Sequence, residues 1–140
     1  MDQKLSLSTH ILDTSKGQPA DDIEVKLFKL VNEAWVESKT VAKTNKDGRV
    51  KEFTKVDGSV NGIYKLRFEV ASYFQRLSLE SLYPFIEVSL TTDLFLLSST
   101  RKRRKKKLFI FQISFTIASE SHYHIPLLLN PFGYSTYRGS

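Results

Sequence analysis

The sequence predicts an all-β fold, an antiparallel β-sandwich of about seven or eight short strands with one short helix. Three observations carry that prediction. Apolar and polar side chains alternate over Ile23 to Leu30 and over Gly62 to Val70, the period of a half-buried strand. Turn formers punctuate the chain between such runs, as at Asn45-Lys46-Asp47-Gly48, Asp57-Gly58 and Asn130-Pro131-Phe132-Gly133. One stretch, Ala71 to Leu82, instead spaces Tyr73, Phe74, Leu77 and Leu82 near a helical period.

Taken in order, Leu5 to Leu12 alternates and reads as the first strand, with a loop after it at Lys16-Gly17-Gln18-Pro19. Ile23 to Leu30 is the second strand, and Asn32-Glu33 turns it into a third, Trp35 to Thr44. Asp47-Gly48 supports a positive φ and hence a turn. Gly62 to Val70 is the next strand. The helix over Ala71 to Leu82 is expected to stop at Tyr83-Pro84, because the residue before a proline is pushed out of helical geometry. Phe85 to Val88 and Phe115 to Ala118 are further strand segments. His122 to Leu129 is a strand containing Pro126, which lacks a backbone donor and predicts an edge position or a bulge. Asn130 to Gly133 turns the chain into a terminal strand that runs to Ser140. A C-terminus is ordinarily frayed, so one built as an aromatic, β-branched strand is expected to be used.

The chain has 140 residues, enough for one domain with one core, and is 41% hydrophobic, as globular chains are. It has no cysteine, which excludes disulfides and thiolate chemistry. No apolar run near its start has the form of a signal peptide, and none approaches the roughly 18 residues of a membrane span. The net charge of +6 does not belong to the fold as a whole. Seven of the 21 Lys and Arg residues form one block, Arg101 to Lys107. Outside residues 88–112 there are 14 basic and 14 acidic residues, since Asp93 is the one acid within. A nucleic-acid-binding face would spread its charge instead.

Residues 88–112 interrupt what reads as one strand. Phe85-Ile86-Glu87 joined directly to Ile113-Ser114-Phe115-Thr116-Ile117-Ala118 would alternate without a fault. The chain is therefore read as a single domain, 1–140, interrupted by an atypical basic insert at 88–112. Val88-Ser89 can be encoded by a splice-donor sequence, and Leu108 to Gln112 by a thymine-rich tract ending in a splice acceptor. A translated unspliced intron is one origin. The other is a functional basic loop, a nuclear signal or a grip for phosphates. Loops this long are uncommon inside compact domains, which favours the first. Such an insert is expected to cut the strand or displace its register, turning side chains to the wrong face. The expected result is a chain that folds or assembles poorly.

Three segments together resemble one family. They are Ser8-Thr9-His10-Ile11-Leu12-Asp13 with Gly17-Gln18-Pro19-Ala20; Thr44-Asn45-Lys46-Asp47-Gly48-Arg49; and His122 to Leu129 followed by Pro131 to Ser140, ending in Tyr137-Arg138-Gly139-Ser140. The pattern resembles the transthyretin-like 5-hydroxyisourate hydrolases, over the whole chain except 88–112. Transthyretin proper, the hormone carrier on the same fold, lacks the terminal motif. The resemblance implies a transthyretin-like (prealbumin-like) sandwich and hydrolysis of 5-hydroxyisourate to 2-oxo-4-hydroxy-4-carboxy-5-ureidoimidazoline in urate degradation. It implies no cofactor and no metal. It also implies a homotetramer, a dimer of dimers with its sites in a channel between them, in the cytoplasm or the peroxisome. It maps the site onto His10, Arg49, His124, Tyr137 and Ser140.

Adding water to a ring carbonyl and breaking a C–N bond needs a base, positive charge for the oxyanion and an orienting clamp. His10 and His124 are the candidate bases, since imidazole titrates near neutrality. His122 shares a strand face with His124 but lies outside the implied site, so its expected place is structural or supporting. Arg49 follows the Asp-Gly turn; its planar guanidinium suits a urate-like anion, where an arginine beside a turn is otherwise merely solvated. Tyr137 can stack on the substrate ring, or else serve as a core or interface aromatic. Arg138 is expected to bind substrate, offset the terminal carboxylate or fix the last strand. Ser140 brings a hydroxyl and an α-carboxylate that can orient water or a histidine; it is not assigned as a covalent nucleophile. Three histidines could also suggest zinc, but no Cys, Asp or Glu spacing supports it.

Two other readings stand beside the hydrolase. One is a non-enzymatic ligand-binding sandwich, the other a nuclear or nucleic-acid-binding protein driven by the basic block. The intact His10, Arg49, His124 and terminal motif favour the first reading, and the neutral remainder argues against the last. The expected partners are the substrate and other copies of the chain, with no nucleic acid and no membrane. For the insert-bearing form, an inactive splice variant of the hydrolase is the alternative.

Overall fold

The computed structural model describes residues 6–38, 41–53, 62–91, 115–116 and 122–139. The elements in chain order are β1 (Leu7–Asp13), β2 (Gln18–Pro19), β3 (Glu24–Val31), β4 (Ala34–Glu37), β5 (Ala42–Lys43), β6 (Arg49–Val50), β7 (Ile63–Phe68), α1 (Ala71–Arg76), β8 (Ile86–Thr91), β9 (Phe115–Thr116), β10 (Tyr123–Asn130) and β11 (Gly133–Thr136). One sheet has the order β11-β10-β1-β2, with β6 also on β1. The other has the order β4-β3-β7-β8-β9, with β5 also on β3. This is the expected all-β sandwich with one short helix. Antiparallel pairing prevails, but β1 runs parallel to β10, with Ser8 opposite His124 and His10 opposite Pro126.

Alternation in the strands decides which side chains meet between the sheets. Leu7 and Ile11 of β1, Val25 and Leu27 of β3, Leu66 and Phe68 of β7, and Ile125, Leu127 and Leu129 of β10 are buried in one core. His10 and His124 alternate with them and stand partly exposed on the outer side of the first sheet. The helix adds Tyr73 and Phe74, packed edge to face at 5.3 Å. The Tyr73 hydroxyl donates to Asp13 at 2.8 Å, tying the helix to the end of β1. Burial opposes ionisation of the Asp13 carboxyl, but hydrogen bonds from Ser15, Tyr73 and Lys16 outweigh it and hold its pKa below the ordinary value.

Several elements differ from their sequence-based expectation: the terminal strand ends at Thr136, with a single bridge from Gly139 to His124 beyond it, and Gln18-Pro19, expected in a loop, is β2. The helix ends at Arg76, well before Tyr83-Pro84. Ser78 takes φ 55°, and the amides of Leu77 and Leu79 both close on the Phe74 carbonyl, so local hydrogen bonds stop the helix first. The predicted strand Trp35 to Thr44 is two strands. After the turn at Asn32 (φ 49°) and Glu33 (φ 65°), β4 pairs with Phe28–Val31, and β5 pairs further back with Glu24 and Val25. Pro126 lies neither at an edge nor in a bulge, since β10 runs between β1 and β11 in unbroken register. The Tyr123 amide bonds towards β1, whereas the His124 carbonyl faces the other way, towards Gly139. By the same alternation, the missing Pro126 donor faces the β11 side, where backbone pairing has already ended at Leu127 and Thr136. The Pro126 carbonyl is met there by the Thr136 hydroxyl at 2.7 Å.

The strand at the insert also departs from expectation. β8 does not stop at Val88 but pairs with β7 without a break from Ile86 to Thr91. Val88 is buried in the core. Val88-Ser89-Leu90-Thr91 thus take the places that Ile113-Ser114-Phe115-Thr116 would hold in the joined strand. The two segments share one pattern of apolar, Ser, apolar, Thr, so the register of β8 is not displaced. β9 runs parallel to β8, with Phe115 opposite Leu90 and Thr116 opposite Thr91. The block Arg101 to Lys107 and the predicted turn at Asp57-Gly58 lie outside the described residues.

Candidate active site

The site is built where a turn, two parallel strands and the terminal segment meet on the outer side of the first sheet. The turn comes first. Asn45 accepts from the Asp47 and Arg49 amides through Oδ1 at 3.0 Å each, and its carbonyl accepts from Gly48 at 2.8 Å. Gly48 has φ 70°, and a Cβ there would strike the Ile11 carbonyl oxygen. Only glycine lets the turn lie this close to β1. The Ile11 amide then donates to the Gly48 carbonyl at 2.8 Å, and Arg49 pairs directly opposite His10. The Asp-Gly signal in the sequence thus delivers a guanidinium to a histidine.

β10 brings the second imidazole. His124 lies opposite Ser8, and its Nδ1 is 2.7 Å from Ser8 Oγ. The terminal segment closes over it: the Gly139 amide donates to the His124 carbonyl at 2.8 Å. A Cβ at position 139 would stand 2.6 Å from Cδ2 of the His124 ring, so the glycine of the terminal motif is required by close approach.

Electrostatics link the three groups. Burial lowers the pKa of His10 most, and the Arg49 charge lowers it further. An N–H of the His10 ring donates to the Asp47 carbonyl, which opposes the shift without reversing it. Burial likewise lowers His124, helped by Arg49, His10 and His122. The lowered pKa values favour the neutral form of both rings, and a neutral imidazole has a lone pair to accept a proton. Arg49 is exposed and its permanent positive charge acts on both rings.

His10, Arg49 and His124 are therefore brought together. Tyr137 is 52% exposed on the segment between β11 and Gly139. Arg138 sits with its guanidinium 5.0 Å over the ring of Tyr123, a residue on the buried side of β10. Ser140 lies outside the described residues, next in sequence to Gly139. Sequence reasoning missed Ser8. It lies inside the first matched motif, but only the parallel register of β1 with β10 sets it against His124. Among the described residues, no cluster of three or more His, Cys, Asp or Glu is placed to hold a metal, and no helix is long and apolar enough to cross a membrane.

Comparison with known proteins places the chain in a family. The probable 5-hydroxyisourate hydrolase of Schizosaccharomyces pombe is 39% identical over 96% of this chain and 91% of its own. The solved 5-hydroxyisourate hydrolase of Klebsiella pneumoniae superposes with a TM-score of 0.66 at 28% identity, over 96% of this chain and 99% of its own. Transthyretin from Sparus aurata superposes with a TM-score of 0.72 over 97% of each chain, but at 20% identity it shares the fold alone. The pattern of the HIUase/Transthyretin family matches residues 7–95 and 94–139, and the chain belongs to that family.

Proposed function

We propose that this chain hydrolyses 5-hydroxyisourate in urate degradation, without a metal or cofactor. The observation that carries the proposal is the meeting of two imidazoles, His10 and His124, with the Arg49 guanidinium on one outer sheet face. One imidazole takes a proton from water as the water adds to a ring carbonyl. Arg49 holds the anionic substrate and the developing oxyanion. The C–N bond of the tetrahedral intermediate then breaks, and the imidazole nitrogen that took the proton returns it to the leaving nitrogen. Tyr137 supplies an aromatic surface for the flat ring, Arg138 a further positive charge, and Ser140 a hydroxyl that orients water. The working assembly is a homotetramer with the sites between protomers.

The test is the ultraviolet decay of freshly generated 5-hydroxyisourate, followed against its spontaneous decay. The wild-type chain accelerates the decay. His10→Ala and Arg49→Ala each bring the rate down by about 10²-fold or more. A wild-type chain that leaves the spontaneous rate unchanged overturns the proposal and favours a ligand-binding sandwich on the same fold.

A further inference from the structure

Ser8 is 7% exposed and stands between two imidazoles. Its Oγ is 2.7 Å from Nδ1 of His124 and 2.7 Å from Nε2 of His122. Nδ1 of His122 in turn is 2.6 Å from Oγ of Ser6. These side chains form one line of hydrogen bonds from the candidate base His124, through Ser8 and the exposed His122, to Ser6 at the surface.

A serine hydroxyl carries a single proton, so Ser8 can donate to only one of the flanking nitrogens and must accept from the other. In one arrangement Ser8 donates to His122 Nε2. His124 then carries its proton on Nδ1, its Nε2 lone pair is free, and His122 donates from Nδ1 to Ser6. In the other arrangement Ser8 donates to His124 Nδ1. His124 then carries its proton on Nε2, and His122 donates from Nε2 to Ser8 while accepting from Ser6 at Nδ1. The shared hydroxyl couples the tautomers of the two histidines.

We propose that Ser8 and His122 form a proton relay that serves His124. This rests on the hydrolytic reading of the site. His124 begins with Nε2 free and takes a proton there from the attacking water. The Nδ1 proton passes to Ser8, the Ser8 proton to His122 Nε2, the His122 Nδ1 proton to Ser6, and the Ser6 proton to solvent. His124 ends neutral with its proton on Nε2, and no charge is stranded beside Arg49. For the leaving nitrogen the line runs backwards. Nε2 gives up its proton to the departing amine as a solvent proton enters at Ser6, and the starting tautomers are restored. Ser8 and His122 touch no substrate and act as positioning residues for the base.

Two variants and three readouts test the relay. His122→Gln keeps a side chain able to hydrogen-bond Ser8 but unable to pass a proton through, and Ser8→Ala breaks the line. Each is expected to lower kcat by about 10- to 100-fold while leaving KM within about twofold. The dependence of kcat on deuterium fraction is expected to be curved in the wild type, as several protons move, and linear in His122→Gln. Independently of activity, nitrogen-15 shifts of the His124 ring report its tautomer. They are expected to show exchange between two forms in the wild type and a single form in Ser8→Ala. His122→Gln with wild-type kcat and a curved deuterium dependence overturns the relay, as do His124 shifts indifferent to Ser8→Ala. A wild-type chain inert towards 5-hydroxyisourate whose His124 shifts still respond to Ser8→Ala overturns the hydrolytic reading and keeps the tautomer coupling.

Discussion

At the scale of single residues, Arg49 acts on the two histidines as well as on any anion they face. Burial lowers both imidazole pKa values first, and the Arg49 charge lowers them further. Each ring therefore stays neutral to a lower pH than the ordinary value of about 6.5. The acid limb of kcat/KM is expected below that value. Because the folded pKa values are depressed, acidification through the ordinary value towards them also removes stability, as the unfolded chain binds more protons there. In Arg49→Gln the His10 and His124 titrations, followed by nuclear magnetic resonance, are expected to move up. Unmoved titrations would show that Arg49 does not govern these rings. Residue types and motifs made His10, Arg49 and His124 legible in the sequence. Ser8 was not legible, because a serine on a strand announces nothing until its neighbour across the sheet is known.

At the scale of elements, the turn Asn45–Gly48 is the device that carries Arg49 to His10. Both its glycine and its asparagine were readable as turn chemistry, but its docking against Ile11 was not. Gly48→Ala forces a Cβ residue into φ 70° and against the Ile11 carbonyl. It is expected to cost more than about 1 kcal/mol of stability and to depress kcat with it, since Arg49 moves with the turn. Denaturant unfolding and the ultraviolet assay read the two effects, and a variant unchanged in both would remove the turn from the account. The helix and Pro126 teach the complementary lesson. Apolar spacing suggested a helix to Leu82, but hydrogen bonds onto Phe74 ended it at Arg76. Proline statistics suggested an edge, but only one side of a β10 residue needs a donor, and on that side the β11 ladder had already ended.

At the scale of the whole molecule, β8 holds Val88 to Thr91 where Ile113 to Thr116 would fit by the same alternation. Phe115 and Thr116 lie instead along the outer edge of β8. Any association of protomers along that edge competes with β9. Deleting 88–112 moves Phe115 and Thr116 into the strand and leaves its edge open. The deletion variant is expected to keep the β8 register, to show a higher Tm and a higher activity than the full-length chain, and to shift towards tetramer by light scattering. A full-length chain that is already an equally stable and equally active tetramer would refute that expectation.

The sequence by itself determined the sandwich, its turns, the family resemblance and three of the groups at the site. Those depend on local alternation, on turn residues and on motifs that survive without knowledge of contacts. The tertiary structure alone decided where strands end, which face Arg49 reaches and that Ser8 joins His122 to His124. Each of these turns on pairing between residues far apart in the chain, and one residue of register in a parallel ladder changes every partner.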